Sequence, residues 1–169
     1  PWTIRIQTAE TDMEPVNRRE FLKGSLGAAA MAAVLPQRRS RAAGDKVIIG
    51  VMGLGGRGRQ LAQMFASRPD ARIAYLCDAD GRRLPAAQKV VEQAQGQPAQ
   101  LVQDFRRVLD DQNVDVLINA TPDHWHALGS IMACQAGKDV YVEKPMCHNI
   151  WEGRQMIEAA RKYKRVVQV

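Results

Sequence analysis

The sequence predicts an α/β protein built on a doubly wound parallel sheet, and three observations carry that expectation. From Lys46 onward, short apolar runs alternate with longer amphipathic ones, which is how strands alternating with helices read. A glycine-rich turn at 53–58 joins the first apolar run to the first amphipathic one. An acid, Asp78, closes the second apolar run twenty residues after Gly58.

The elements follow in order. Residues 47–52 (VIIGVM) are apolar without alternation, as in a central parallel strand covered on both faces. A helix over 59–67 turns Leu61, Ala62 and Phe65 inward. A second strand spans 72–77, and a second helix spans 84–95, ended by Gly96. Leu101 and Val102 form a short edge strand, and a short helix runs to about Leu109. Residues 114–120 are another buried strand. Asp123 opens a helix that Gly137 closes, glycine being common just past a helix C-terminus. Residues 140–142 form a fifth strand. Asn149 caps the next helix, with Glu152 three residues on in capping-box spacing, and that helix runs to about Tyr163. A sixth strand begins at 165, and the sequence ends inside it.

Each part of the glycine turn has a physical task. Gly53-Leu54-Gly55-Gly56-Arg57-Gly58 matches G-x-G-x-x-G, follows a strand and precedes a helix. Gly53 makes the tight turn, Gly55 lets backbone approach a pyrophosphate, and Gly58 lets the helix pack closely on the sheet. The helix N-terminus offers free N–H groups and a partial positive charge to phosphates. Asp78 is placed to accept hydrogen bonds from an adenosine ribose, so residues 45–169 read as a Rossmann domain for a nicotinamide dinucleotide. Asp78 would repel a 2′-phosphate, which favours NAD; Arg82 and Arg83 lie near enough in sequence to keep NADP open.

Residues 13–42 read as a leader. Asn17-Arg18-Arg19-Glu20-Phe21-Leu22-Lys23 resembles a twin-arginine export signal. A weakly hydrophobic run from Gly24 to Leu35 follows, shorter than the roughly 20 apolar residues of a membrane span. Ser40-Arg41-Ala42 fits cleavage after Ala42. That leader implies an exported, periplasmic-type location, with the export translocase as a partner. It suits an enzyme that folds around a cytoplasmic cofactor before export. Residues 1–12 receive no assignment.

Composition narrows the function. Of the net charge of +6, +3 lies in residues 1–43 and +3 in the remainder. With no Lys/Arg run interleaved with aromatics after residue 43, nucleic acid is not an expected partner. Cys77, Cys134 and Cys147 are an odd set without C-x-x-C spacing, which argues against a disulfide framework. His124 and His126 stand two apart, so they do not share a helix face, and no acid or cysteine partner stands at ligand spacing. No metal is expected. Cys147 and His148 are chain neighbours, a poor geometry for a nucleophile pair.

Thr121-Pro122-Asp123-His124-Trp125-His126, Ala136-Gly137-Lys138-Asp139-Val140 and Glu143-Lys144-Pro145 together resemble the Gfo/Idh/MocA oxidoreductases, the group of glucose–fructose oxidoreductase and inositol dehydrogenase. The resemblance runs from about Lys46 to Val169. It implies an NAD(P)-dependent oxidoreductase that moves hydride between nicotinamide and a sugar or polyol, homo-oligomeric at full length. It also implies a larger second α/β domain downstream, so the chain is expected to stop before the half that completes the active site. Gly53, Gly55, Gly58 and Asp78 correspond to the dinucleotide fingerprint. Asn119, Thr121 and Pro122 match the segment bordering the nicotinamide ribose, and Glu143, with Lys144, also falls to the cofactor side. Lys144 and His126 carry the catalytic expectation, Lys144 as the lysine that reaches substrate and nicotinamide. Ligands of open α/β sheets sit at the carboxyl ends of strands, and Gly53, Asp78, Thr121 and Lys144 all follow expected strand ends. Two alternatives share the fold: a glycoside hydrolase that uses bound NAD for transient oxidation, and a non-catalytic dinucleotide-binding module.

Overall fold

The computed structural model describes residues 46–169; the leader, with Arg18 and Arg19, lies outside the described residues. Six strands form one parallel sheet in the order β3-β2-β1-β4-β5-β6. They are β1 (Val47–Met52), β2 (Ala71–Cys77), β3 (Gln100–Val102), β4 (Val116–Asn119), β5 (Asp139–Val142) and β6 (Val167–Gln168). The helices are α1 (Gly56–Ala66), α2 (Leu84–Gln95), α3 (Arg106–Asp110), α4 (His126–Gln135) and α5 (Ile150–Tyr163). This is the doubly wound sheet expected of the sequence.

The apolar strands are covered on both faces. On one face Ile49, Val51, Ile73, Leu76 and Ile118 meet Leu61 and Ala62 of α1 and Ala87 and Val91 of α2. On the other, Leu117, Val140 and Val142 meet Ala133 and Cys134 of α4 and Met156 of α5. The chain therefore changes face between β1 and β4, neighbours at the sheet centre. Their carboxyl ends lead into loops that diverge and leave a crevice between them.

Several element boundaries differ from expectation: β2, β3 and β5 begin one residue earlier and β6 two residues later, and three further differences have a clear physical reason. Helix α1 begins at Gly56 and contains Gly58, although glycine is a poor helix former. Close packing overrides propensity here: a Cβ on Gly58 would lie 1.8 Å from the Gly53 carbonyl oxygen. Strand β4 is shorter than 114–120, yet its ladder partly continues, with Asp115 N–H donating to Ile48 C=O at 2.8 Å. Helix α4 begins at His126, because residues after Pro122 first make a 3₁₀ turn, Asp123–Trp125. The expected cap of α5 is present: Asn149 Oδ1 accepts from Glu152 N–H at 3.0 Å, and Glu152 Oε2 accepts from His148 N–H at 3.0 Å. Gly96 and Gly137 close α2 and α4 with positive φ of 75° and 77°.

The three cysteines are free. Burial pushes the Cys77 thiol up to about 12 and the Cys134 thiol up to about 11, so both stay protonated and pack as small apolar groups.

Candidate active site

Backbone bonds tie the loops at the carboxyl edge into one row. Asp78 N–H donates to Val102 C=O at 3.2 Å, Gly53 to Cys77 at 2.9 Å, Ala120 to Met52 at 2.8 Å and Glu143 to Asn119 at 3.0 Å. Each residue just past one strand is thus bonded to the end of the next. Asp78, Gly53, Ala120 and Glu143 stand side by side along the rim of the crevice.

At the β1–β2 end the site is made mainly of backbone. Gly53 has φ +87°, and a Cβ there would lie 2.7 Å from the Ala120 carbonyl and the Thr121 nitrogen. Gly55 is the N-cap of α1 without any side-chain cap, and no acid stands in the first turn. The first helical bond is that of Arg59 N–H to Gly55 C=O, at 3.0 Å. The N–H groups ahead of it are open to an anion, as a dinucleotide diphosphate requires. Among the described residues the one neighbour a Cβ on Gly55 would meet is Arg83 Nη1, at 3.3 Å, the end of a flexible side chain.

Asp78 braces the glycine turn. Its Oδ2 accepts from Leu54 N–H at 2.7 Å and its Oδ1 from Asp80 N–H at 2.9 Å, with 11% of the side chain exposed. A carboxylate has about four acceptor positions, so it fixes the glycine turn and keeps capacity for hydroxyls. Both arginines pair with Asp80, Arg83 Nε lying 3.6 Å from its Oδ2. Arg82 is held by Asp80 at 2.8 and 2.9 Å, and its guanidinium holds the Asp80 carboxyl down to about 2. Arg83 Nη1 lies 4.0 Å from Asp78 Oδ2, beside the place a ribose would take.

At the β4–β5 end the site stands on buried polar side chains. Asn119 is fully buried; its Oδ1 accepts from Thr121 Oγ at 2.7 Å, and its Nδ2 donates to His126 C=O at 3.2 Å. His126 is 2% exposed, with Nδ1 2.6 Å from Pro145 C=O and Nε2 2.8 Å from Thr121 C=O. The ring therefore joins the loop after β4 to the loop after β5. Both ring nitrogens are taken up by carbonyl oxygens, and Asn119 lies beneath the crevice floor. Asn119 does not line the cleft, whereas His126 lines it together with Thr121 and Lys144, although nearly all of its surface is buried.

Lys144 is exposed, is the second residue past β5, and makes no hydrogen bond or ion pair among the described residues. Its chain neighbour Glu143 faces elsewhere, with Oε1 2.7 Å from Arg57 Nε. Arg57, Thr121, Asp123, Glu143 and Lys144 line a cleft of about 640 Å³. At its rim His148 Nδ1 lies 3.2 Å from Asp123 Oδ2, and that contact lowers the Asp123 carboxyl below its usual value. Sequence reasoning missed Arg57 and the Asp123–His148 pair. Arg57 stands at a variable position of the glycine motif, and no local pattern links residue 123 to residue 148. Among the described residues no group of three or more His, Cys, Asp or Glu side chains converges as a metal cage.

Comparison with known proteins decides the family. Residues 47–169 match the family described as "Oxidoreductase family, NAD-binding Rossmann fold". The chain belongs to that family. Residues 15–35 match the twin-arginine translocation pathway signal sequence. A curated relative, glycosyl hydrolase family 109 protein 2 of Shewanella sp. (strain ANA-3), is 32% identical over 90% of this chain and 39% of its own length. A family 109 protein of Stenotrophomonas maltophilia is 36% identical over 78% of the chain and 30% of its own length. The chain thus spans well under half of these relatives. Among solved structures, the WlbA dehydrogenase of Bordetella pertussis, in complex with NADH and UDP-GlcNAcA, is 28% identical with a TM-score of 0.61, over 72% of this chain and 36% of that one. Levoglucosan dehydrogenase, in complex with NADH and levoglucosan, shares the fold at 23% identity and a TM-score of 0.63, over 73% and 35%. The domain is an NAD-binding one, and the open helix N-terminus and glycine cradle fit that cofactor.

Proposed function

We propose that the chain is the cofactor half of an oxidoreductase that moves hydride between NAD and a hydroxyl-bearing carbon of a sugar or polyol. The observation that carries this reading is the exposed, unpartnered Lys144, one strand from the Thr121 loop and on the same rim as the glycine turn. NAD supplies the hydride acceptor. Gly53, Gly55, Gly58 and Asp78 hold its adenosine and diphosphate, and Thr121, Pro122 and Glu143 border its nicotinamide end. Lys144 Nζ orients the substrate hydroxyl and takes its proton as the C–H bond gives up hydride. Asn119 and His126 act as positioning residues that set the Thr121 and Pro145 loops. The bound compound of WlbA, a sugar nucleotide, supports the substrate class.

Lys144→Met tests the reading in a chain extended to the length of the relatives. NAD affinity should stay within a few-fold, and turnover should fall at least roughly 100-fold, the lower end of a general acid–base contribution. Near-normal turnover would remove Lys144 from the mechanism.

A second reading has support of its own. The curated relatives are named glycosyl hydrolases, and a hydrolase using transient oxidation would need the same cradle and lysine but leave no net reduced cofactor. For either enzyme the twin-arginine match supports export of the folded, NAD-loaded protein. Replacing both Arg18 and Arg19 by Lys should leave it unprocessed in the cytoplasm, since lysine keeps the charge and loses the guanidinium geometry. Processed periplasmic protein in that variant would refute the export reading.

A further inference from the structure

Arg57 stands inside the glycine turn, yet its side chain leaves β1 altogether. Its guanidinium Nε donates to Glu143 Oε1 at 2.7 Å, a contact between residues 86 apart in the chain. In the sheet, β4 lies between β1 and β5. The ion pair therefore passes over the end of β4, where Ala120 and Thr121 form the crevice floor. A dinucleotide running from the α1 N-terminus to Lys144 has to cross that same floor. The pair lies along its track.

The two partners are unequally placed. The Glu143 side chain is 12% exposed and the Arg57 side chain 56%. Glu143 is thus a fixed anchor, and the guanidinium carries its outer face in the open. A guanidinium has five N–H donors in a rigid fork. Glu143 engages Nε as the main partner, Tyr141 adds a weaker side-chain interaction, and more than half of the Arg57 side chain stays exposed. A bare carboxylate at this point would repel an incoming diphosphate; paired with Arg57, it does not. The guanidinium is a donor fork held by its stem at the wall of the crevice.

We propose that Arg57 is a ligand of the dinucleotide diphosphate, and that Glu143 is the residue that positions it. The glycine turn offers backbone N–H groups to one side of the diphosphate; the Arg57 Nη groups offer charged donors to the other. The inference rests on the NAD-binding reading of the cleft. Its competitor is a strap, in which the Arg57–Glu143 pair closes the crevice and has to open before a dinucleotide enters.

Titration of NAD, ADP-ribose and adenosine against the wild-type chain and the variants Arg57→Ala, Arg57→Lys, Glu143→Gln and Arg57→Ala/Glu143→Gln separates the two. Arg57→Ala should weaken NAD and ADP-ribose by roughly 10- to 100-fold, the range for losing a charged hydrogen-bond partner. Adenosine, which has no phosphate, should bind the variant as it binds wild type. Arg57→Lys should fall between, since a point charge replaces a fork. Glu143→Gln should weaken both diphosphates less than Arg57→Ala does. Adding it to Arg57→Ala should recover part of the loss, because it removes the bare carboxylate. Equal or tighter binding of ADP-ribose by Arg57→Ala would establish the strap and overturn the proposal. An equal loss for adenosine would overturn it too, by showing that the substitution acts on the groove and not on the diphosphate. A wild-type chain that binds none of the three ligands would refute the nucleotide reading itself.

Discussion

The two ends of the crevice are built from different materials. Around β1 and β2 the site is backbone: Gly53 and Gly58 pressed against each other, open N–H groups at the start of α1, and one carboxylate, Asp78, bracing the turn. Around β4 and β5 it is side chain: Lys144 and Thr121 at the surface, standing on the buried amide of Asn119 and the buried ring of His126. At Gly53 and Gly58 the first end cannot accept an added atom. The second cannot lose a hydrogen-bonding group.

Substitutions should separate the two ends. The largest effect is expected from Gly58→Ala. The clashing atom, the Gly53 carbonyl oxygen 1.8 Å away, belongs to backbone and cannot swing aside. Forcing α1 off β1 should cost at or above the usual overpacking range of about 1–3 kcal/mol and abolish NAD binding. Chemical unfolding with an NAD titration checks both; a variant of native stability and affinity would break the account of the first end. His126→Leu comes next. It removes the polar ring facing the Thr121 and Pro145 carbonyls, at about 1–3 kcal/mol for a buried acceptor left without a partner. Turnover should drop with NAD affinity largely kept, and a variant that loses NAD binding first would place His126 at the wrong end. Asp78→Ala should weaken NAD by about 1–3 kcal/mol and narrow its advantage over NADP, since a ribose acceptor and a repulsive charge both go. Because Asp78 also holds Leu54 N–H, Asp78→Asn serves as the sharper probe. It keeps an acceptor oxygen for the turn, so it should change the NAD/NADP ratio more than it changes stability. An unchanged ratio would mean that Asp78 braces the turn and does not face the ribose.

The same contrast explains what could be read in the sequence. The strands, their parallel order and the glycine turn were legible because backbone demands leave residue-type signatures at fixed short spacing: apolar runs, glycines where no Cβ fits, an acid at the next strand end. The capping pair Asn149 and Glu152 was legible for the same reason. Helix α1 was placed late because glycine propensity points away from a helix, and only the contact between Gly58 and Gly53 shows why the helix begins at Gly56. The roles of Asn119 and His126 were legible as membership of a motif but not as geometry. Their partners, Thr121, Pro145 and the His126 carbonyl, become neighbours only when β4 and β5 pair. Arg57 and Glu143 are 86 residues apart, and no local periodicity relates them.

The crevice is proposed to bring NAD and a sugar-type carbon together for hydride transfer. The most direct measurement uses a chain extended to the relatives' length, NAD, and a panel of sugars, polyols and glycosides carrying deuterium on the hydroxyl-bearing carbons. Mass spectrometry of the cofactor and product analysis are read together. Net reduced cofactor carrying the substrate's deuterium is expected, in step with the oxidised sugar or polyol, and it should be lost in Lys144→Met. Cleaved glycoside with no net reduced cofactor would contradict the proposal and assign the crevice to the hydrolase reading.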